Sequence, residues 1–166
     1  MNKIPILGFS GYSNSGKTTL IEKIIRNLKS RGLRVAIIKH HAHEELEIDR
    51  EGKDSWKFTR AGADISIVSS PGKTAYIEQR SLEFQQLVSM VHDVDLILVE
   101  GFKKEPIPQI GICRKAANAA FPSPLDRYLA VVTDWEELEA EIPKFDFDDI
   151  ELLSDFVIQS LEEGRL

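Results

Sequence analysis

Hydrophobic and polar positions along the chain alternate between two periods. Residues 4–10 form a short apolar run, which predicts a buried strand. Leu20, Ile21, Ile24, Ile25 and Leu28 then recur at helical spacing, and Gly32 stands where that helix should stop. Residues 34–39 read as a second strand. Asp54 is a natural cap for a short helix over 55–60, ended by Gly62. Residues 64–69 and 73–78 predict two strands joined as a hairpin at Pro71-Gly72. A helix is expected over 81–90, capped by Ser81, with Leu82, Phe84, Leu87 and Val88 on its apolar face. The run 95–101 is the most continuously apolar in the chain and predicts a central parallel strand buried on both faces. Residues 110–114 and 128–134 add strands, separated by a loop with Pro122 and Pro124. Leu152, Leu153, Phe156, Val157 and Leu161 mark a last amphipathic helix from Ile150, with Asp148 or Asp149 near its cap.

Strands and helices alternate for most of the length. The expected class is therefore α/β, a mainly parallel sheet flanked by helices, in a single domain over 1–166. Residues 73–78 and 110–114 stand outside that rhythm and are expected as an added hairpin or edge strands. An unprotected edge invites pairing with a second copy, so a dimer joined through β-structure between Lys73 and Arg114 is expected.

The link between the first strand and first helix carries the chemistry. Gly11-Tyr12-Ser13-Asn14-Ser15-Gly16-Lys17-Thr18-Thr19 fits G-x-x-x-x-G-K-S/T, the phosphate-binding P-loop. Gly11 and Gly16 permit backbone conformations that a Cβ would obstruct. Successive N–H groups can then turn inward as a nest for phosphate oxygens, helped by the positive end of the following helix. Lys17 can reach the β- and γ-phosphates, and the Thr18 hydroxyl is placed to ligate Mg²⁺. A strand precedes the motif and a helix follows it, as the mechanism needs. A nucleoside triphosphate is the expected ligand.

Composition narrows the partners. The chain has 166 residues, 42% hydrophobic and 29% charged, as in an ordinary globular protein. A net charge of −6 without a basic cluster argues against nucleic acid. No apolar run is long enough to span a bilayer, and the N-terminus enters the first strand too soon for a signal peptide. The lone cysteine, Cys113, excludes an internal disulfide and fits a reducing cytoplasm.

Further candidates lie at strand ends, where an open parallel sheet binds ligands. Glu100 ends the most apolar strand, the place of an acidic group that holds Mg²⁺ opposite the P-loop threonine; a solvated strand-end carboxylate is the alternative. Asp49 could orient the attacking water or join the metal shell, with solvated loop as an equal alternative, whereas Asp54 is better read as a helix cap. Lys39, His40 and His43 are candidates to face the phosphates or a second anionic ligand. Zinc binding by His40, His41 and His43 is a weaker reading, since Cys113 lies on a different strand. Thr133 and Asp134 end a strand where P-loop proteins often read the base. A carboxylate accepts from guanine N1–H and N2–H₂ and repels adenine N1. The N-K-x-D signature of GTPases is absent, and Asp134 could equally cap a helix near Trp135.

The early P-loop, Ile38-Lys39-His40 with its clustered histidines, Gly52-Lys53-Asp54-Ser55 leading to Arg60-Ala61-Gly62-Ala63, and Leu96-Ile97-Leu98-Val99-Glu100-Gly101-Phe102-Lys103 resemble the MobB family of molybdopterin-guanine dinucleotide biosynthesis adaptors. The resemblance covers the chain to about Lys103 with distinctive motifs, and beyond it the general plan. It implies a homodimeric protein that binds GTP and Mg²⁺, hydrolyses GTP weakly, and assists the guanylyltransferase that joins GMP to molybdopterin. Molybdopterin itself is a further candidate partner. Carried over by position, Ser13 to Thr19 match the phosphate loop, and Thr18 and Glu100 the Mg²⁺ elements. Two other readings use the same motif: a small-molecule kinase, which lacks an arginine-rich lid here, and a GTPase metal chaperone with the histidines and Cys113 as ligands.

Overall fold

A computed structural model describes residues 4–41, 48–116 and 121–166. The chain divides into two compact units, residues 1–40 with 89–166 and residues 41–88.

The first unit is built on strands β1 (Ile6–Gly11), β2 (Val35–Lys39), β5 (Leu96–Glu100), β6 (Gln109–Cys113), β7 (Ala130–Thr133) and β8 (Lys144–Phe145). They form one sheet in the order β2-β5-β1-β6-β7-β8, and every neighbouring pair is parallel. Helix α1 (Lys17–Ser30) follows β1, and α4 (Ile150–Glu162) ends the chain. Leu20, Ile24 and Leu28 of α1 and Leu153 and Val157 of α4 join Leu7, Phe9, Leu98, Ile110, Ile112 and Val132 in one apolar cluster. Removal of that surface from water holds the helices on the sheet. Arg31 pairs with Glu151 and Asp155 across the two helices. Those carboxylates are solvent-exposed, so the pairs set alignment more than stability.

The second unit contains α2 (Asp54–Arg60) and an antiparallel hairpin, β3 (Ile65–Ser70) with β4 (Lys73–Glu78), in register from Ile65↔Glu78 to Ser70↔Lys73. Ile65, Ile67, Val68 and Tyr76 are exposed on it. Helix α3 (Phe84–Ser89) follows.

Four expectations need correction. Residues 110–114 were expected at a sheet edge, but β6 lies between β1 and β7, pairs with both, and is buried at every position. Both of its edges are hydrogen-bonded within the chain, so a second copy cannot pair there. The apolar run Ile110 to Cys113 reflects burial on both faces, the same signal that identified β5. The helix over 81–90 begins only at Phe84, where the Gln86 side chain reaches back to accept the Glu83 N–H at 2.9 Å. Asp54 is not a cap but the first helical residue, paired with Lys57 at 3.3 Å. No helix starts at Trp135; its N–H is accepted by the Thr133 hydroxyl at 3.1 Å. The two-residue strand β8 carries too few positions to show a period.

Candidate functional site

Gly11 ends β1 with its Cα against β6, where a Cβ would come 2.5 Å from the Ile112 carbonyl oxygen and 2.8 Å from the Ser15 hydroxyl. Only glycine lets the loop leave the sheet so closely. Gly16, at φ 85° and ψ 10°, then turns the chain into α1, and Asn14 also takes a positive φ of 62°. Ser15 is buried, while Ser13, Asn14, Thr18 and Thr19 are exposed around the turn. Lys17 folds back over the loop and donates to the Tyr12 carbonyl oxygen at 2.6 Å. Burial pulls the Lys17 ammonium below the usual lysine range; Glu100 opposes this, and the nearby Lys103 and Lys39 reinforce it.

Sheet order brings the rest of this end together. Because β5 lies between β1 and β2, Glu100 pairs in register with both Phe9 and Lys39. Its carboxylate, 13% exposed, lies 3.3 Å from the Lys39 ammonium. It accepts from the Thr18 hydroxyl at 3.2 Å. Thr18 and Glu100 thus offer two hard oxygen donors in one place, the donor chemistry Mg²⁺ requires. His40 is exposed and meets Phe102 edge-on, with ring centroids 4.9 Å apart. Gly101 takes φ 94°, and a Cβ there would come 2.9 Å from His40 Cβ. Lys103 sits over the Tyr12 ring at 5.0 Å. Lys17 and Lys39 therefore flank the Glu100 carboxylate and Lys103 lies near Lys17, a surplus of positive charge suited to a polyphosphate.

The other end of the site lies beyond α1. Asp134 follows β7, and its Oδ1 accepts the Lys115 N–H at 2.7 Å. Arg114, directly after β6, reaches Asp134 Oδ2 at 3.5 Å. Thr133 is buried and closes the turn to Trp135, so its hydroxyl is held within the strand end. A cavity of about 120 Å³ lies here, bounded by Gly16, Leu20 and Lys23 on one side and by Arg114, Asp134 and Phe147 on the other. Sequence reading passed over Arg114, Lys23 and Phe147. Arg114 alone carried a usable signal: it is the first residue past a strand's carboxyl end.

Asp49 belongs to the second unit, where its Oδ1 accepts the Arg50 N–H at 2.8 Å. His43 lies outside the described residues. Cys113 is buried, and burial, with Asp134 nearby, pushes its thiol above the usual range. A thiol held protonated is a poor metal ligand at neutral pH. Among the described residues, no three His, Cys, Asp or Glu side chains gather as a metal site. No described helix is long and apolar enough to cross a membrane.

A parallel α/β sheet with a glycine-rich loop between its first strand and helix defines a P-loop protein of the nucleotide-binding class. Residues 6–134 match the MobB family, described as molybdopterin guanine dinucleotide synthesis protein B, and the chain belongs to that family. It is 40% identical over 162 residues to the molybdopterin-guanine dinucleotide biosynthesis adapter protein of Haemophilus influenzae, covering 94% of this chain and 89% of that one. Its identity to the adapter protein of Escherichia coli is 38% over 168 residues, covering 96% and 95%. The solved structure of Bacillus subtilis MobB superposes with a TM-score of 0.79 at 32% identity, covering 94% of this chain and 97% of that one. The chain is thus an adapter in molybdopterin guanine dinucleotide biosynthesis.

Proposed function

We propose that this adapter binds GTP with Mg²⁺, hydrolyses it weakly, and acts in the cytoplasm as a homodimer beside the guanylyltransferase that joins GMP to molybdopterin. The observation that carries the reading is the meeting of Thr18 and Glu100 at 3.2 Å under a P-loop whose lysine is already folded inward. Mg²⁺ held by those two residues would offset charge on the β- and γ-phosphates, and Lys17 would bind the same oxygens. Glu100 is engaged by Thr18 and Lys39, which suits it to hold a metal rather than take a proton from water. Asp49 remains the proposed group for orienting that water.

Lys39 and His40, exposed beside Glu100, are the proposed contacts for a terminal phosphate or for molybdopterin. His43 is proposed with them. For the homodimer, the β3–β4 hairpin offers open strand edges and exposed Ile65, Ile67, Val68 and Tyr76. Self-pairing would satisfy the backbone and cover the apolar side chains.

The test is a calorimetric titration of GTP with and without Mg²⁺, in the wild-type protein and in Glu100→Gln. Loss of the charged oxygen should weaken Mg²⁺-dependent binding by about tenfold or more and leave metal-free binding little changed. Equal weakening in both conditions would show that Glu100 supports the fold instead of the metal. Wild-type protein that binds no GTP in either condition would overturn the reading.

A further inference from the structure

A nucleotide needs a surface for its base as well as for its phosphates, and the phosphate loop supplies none. The cavity beyond α1 has the right chemistry. Arg114 enters it from the end of β6, and its guanidinium carbon lies 3.7 Å from the centroid of the Phe147 ring. Phe147 thus backs the guanidinium by a close cation–π contact, which fixes its position. Beside it, a Cβ at Gly16 would come 3.1 Å from Arg114 Nε, so the side chain runs tight along the phosphate loop itself. Asp134 is held by the Lys115 N–H at one oxygen, while its other oxygen has only a long contact to Arg114, 3.5 Å. Asp146 and Asp148 also line the cavity, and their charge disfavours phosphate there.

We infer that Arg114 is the base-stacking residue of this site: a purine ring lies on the guanidinium plane, backed by Phe147, with its hydrogen-bonding edge toward Asp134. The inference deepens the nucleotide-binding reading and rests on it. A flat, delocalised cation attracts the electron-rich face of any purine, so Arg114 would supply affinity without selecting the base. Selection would fall to Asp134, whose weakly engaged oxygen can still accept from the base edge. Arg114 lies beside Gly16, so base and phosphates would occupy adjoining parts of one site.

Calorimetry with GTP, ATP and inorganic tripolyphosphate, all with Mg²⁺, separates these roles. Arg114→Ala should weaken GTP and ATP alike by about tenfold, the size of a partly exposed cation–π contact, with an unchanged GTP-to-ATP ratio. Tripolyphosphate, which has no base, should bind the variant as it binds the wild type. Arg114→Lys should restore little, because it returns the charge without the plane. Phe147→Leu provides a second route, and should weaken both nucleotides while sparing tripolyphosphate. Equal weakening for tripolyphosphate, unchanged nucleotide affinity, or full rescue by lysine would overturn the role of Arg114. Wild-type protein that binds tripolyphosphate but neither nucleotide would overturn the nucleotide reading itself, and this role with it.

Discussion

Lys17→Ala should yield a folded protein that has lost nucleotide binding. The ammonium is held at 2.6 Å by the Tyr12 carbonyl oxygen, above a loop whose glycines open its backbone toward the same space. A phosphate chain would replace that single carbonyl with several charged oxygens. Removing two charge-assisted hydrogen bonds of this kind should cost about 3–5 kcal/mol, or roughly 10²–10⁴-fold in affinity. The fold should not suffer, because Lys17 is only partly buried and lies outside the apolar cluster. Burial lowers its folded pKa, so at neutral pH the charged form is less favoured in the folded than in the unfolded chain. That penalty fades only as pH rises toward the unfolded lysine value. Alanine removes it, and the ligand-free variant should melt at or slightly above the wild-type temperature. Unchanged GTP affinity by calorimetry would show that phosphate binds elsewhere. A collapsed melting temperature would show that the lysine serves the fold.

The second large effect concerns the base. Asp134→Asn should narrow the preference for GTP over ATP by about 10²-fold, the scale on which mismatched buried hydrogen-bonding groups discriminate ligands. The local geometry keeps the turn and alters only the oxygen that faces Arg114 and the base. Oδ1 of the new amide can still accept the Lys115 N–H, now 2.7 Å away, so the turn survives. The NH₂ then faces the base edge, where guanine also donates and adenine N1 accepts. Guanine affinity should fall, and adenine affinity should hold or rise. Competition of ATP against bound GTP in the two proteins gives both constants. A preference that survives the substitution would assign base reading to another residue.

Both predictions rest on features readable at different depths in the sequence. The P-loop was legible because its constraints are local: Gly11, Gly16, Lys17 and Thr18 must occupy fixed spacings between a strand and a helix. The place of Glu100 at the end of a central strand was legible because the apolar run before it demands burial on both faces. The hairpin at Pro71-Gly72 followed from alternation and turn chemistry. What failed was non-local. Ile110 to Cys113 has the same unbroken apolar pattern as β5, yet its shortness and its place outside the strand–helix rhythm suggested an edge; only the parallel register with β1 and β7 places it in the interior. Arg114 and Phe147 are far apart in the chain, and their cation–π contact depends on where the segment after β8 returns to the sheet. No local period encodes that meeting. Asp134 had two readings, cap and base edge, and the absence of a helix at Trp135 removes the first.

One measurement bears most directly on the adapter's proposed role: the rate of GMP transfer to molybdopterin by the guanylyltransferase, with and without this chain. Wild-type protein should raise the rate, co-elute with the transferase in the presence of GTP, and lose both effects in Lys17→Ala. Equal stimulation by wild type and Lys17→Ala would contradict a role that works through nucleotide held in the P-loop.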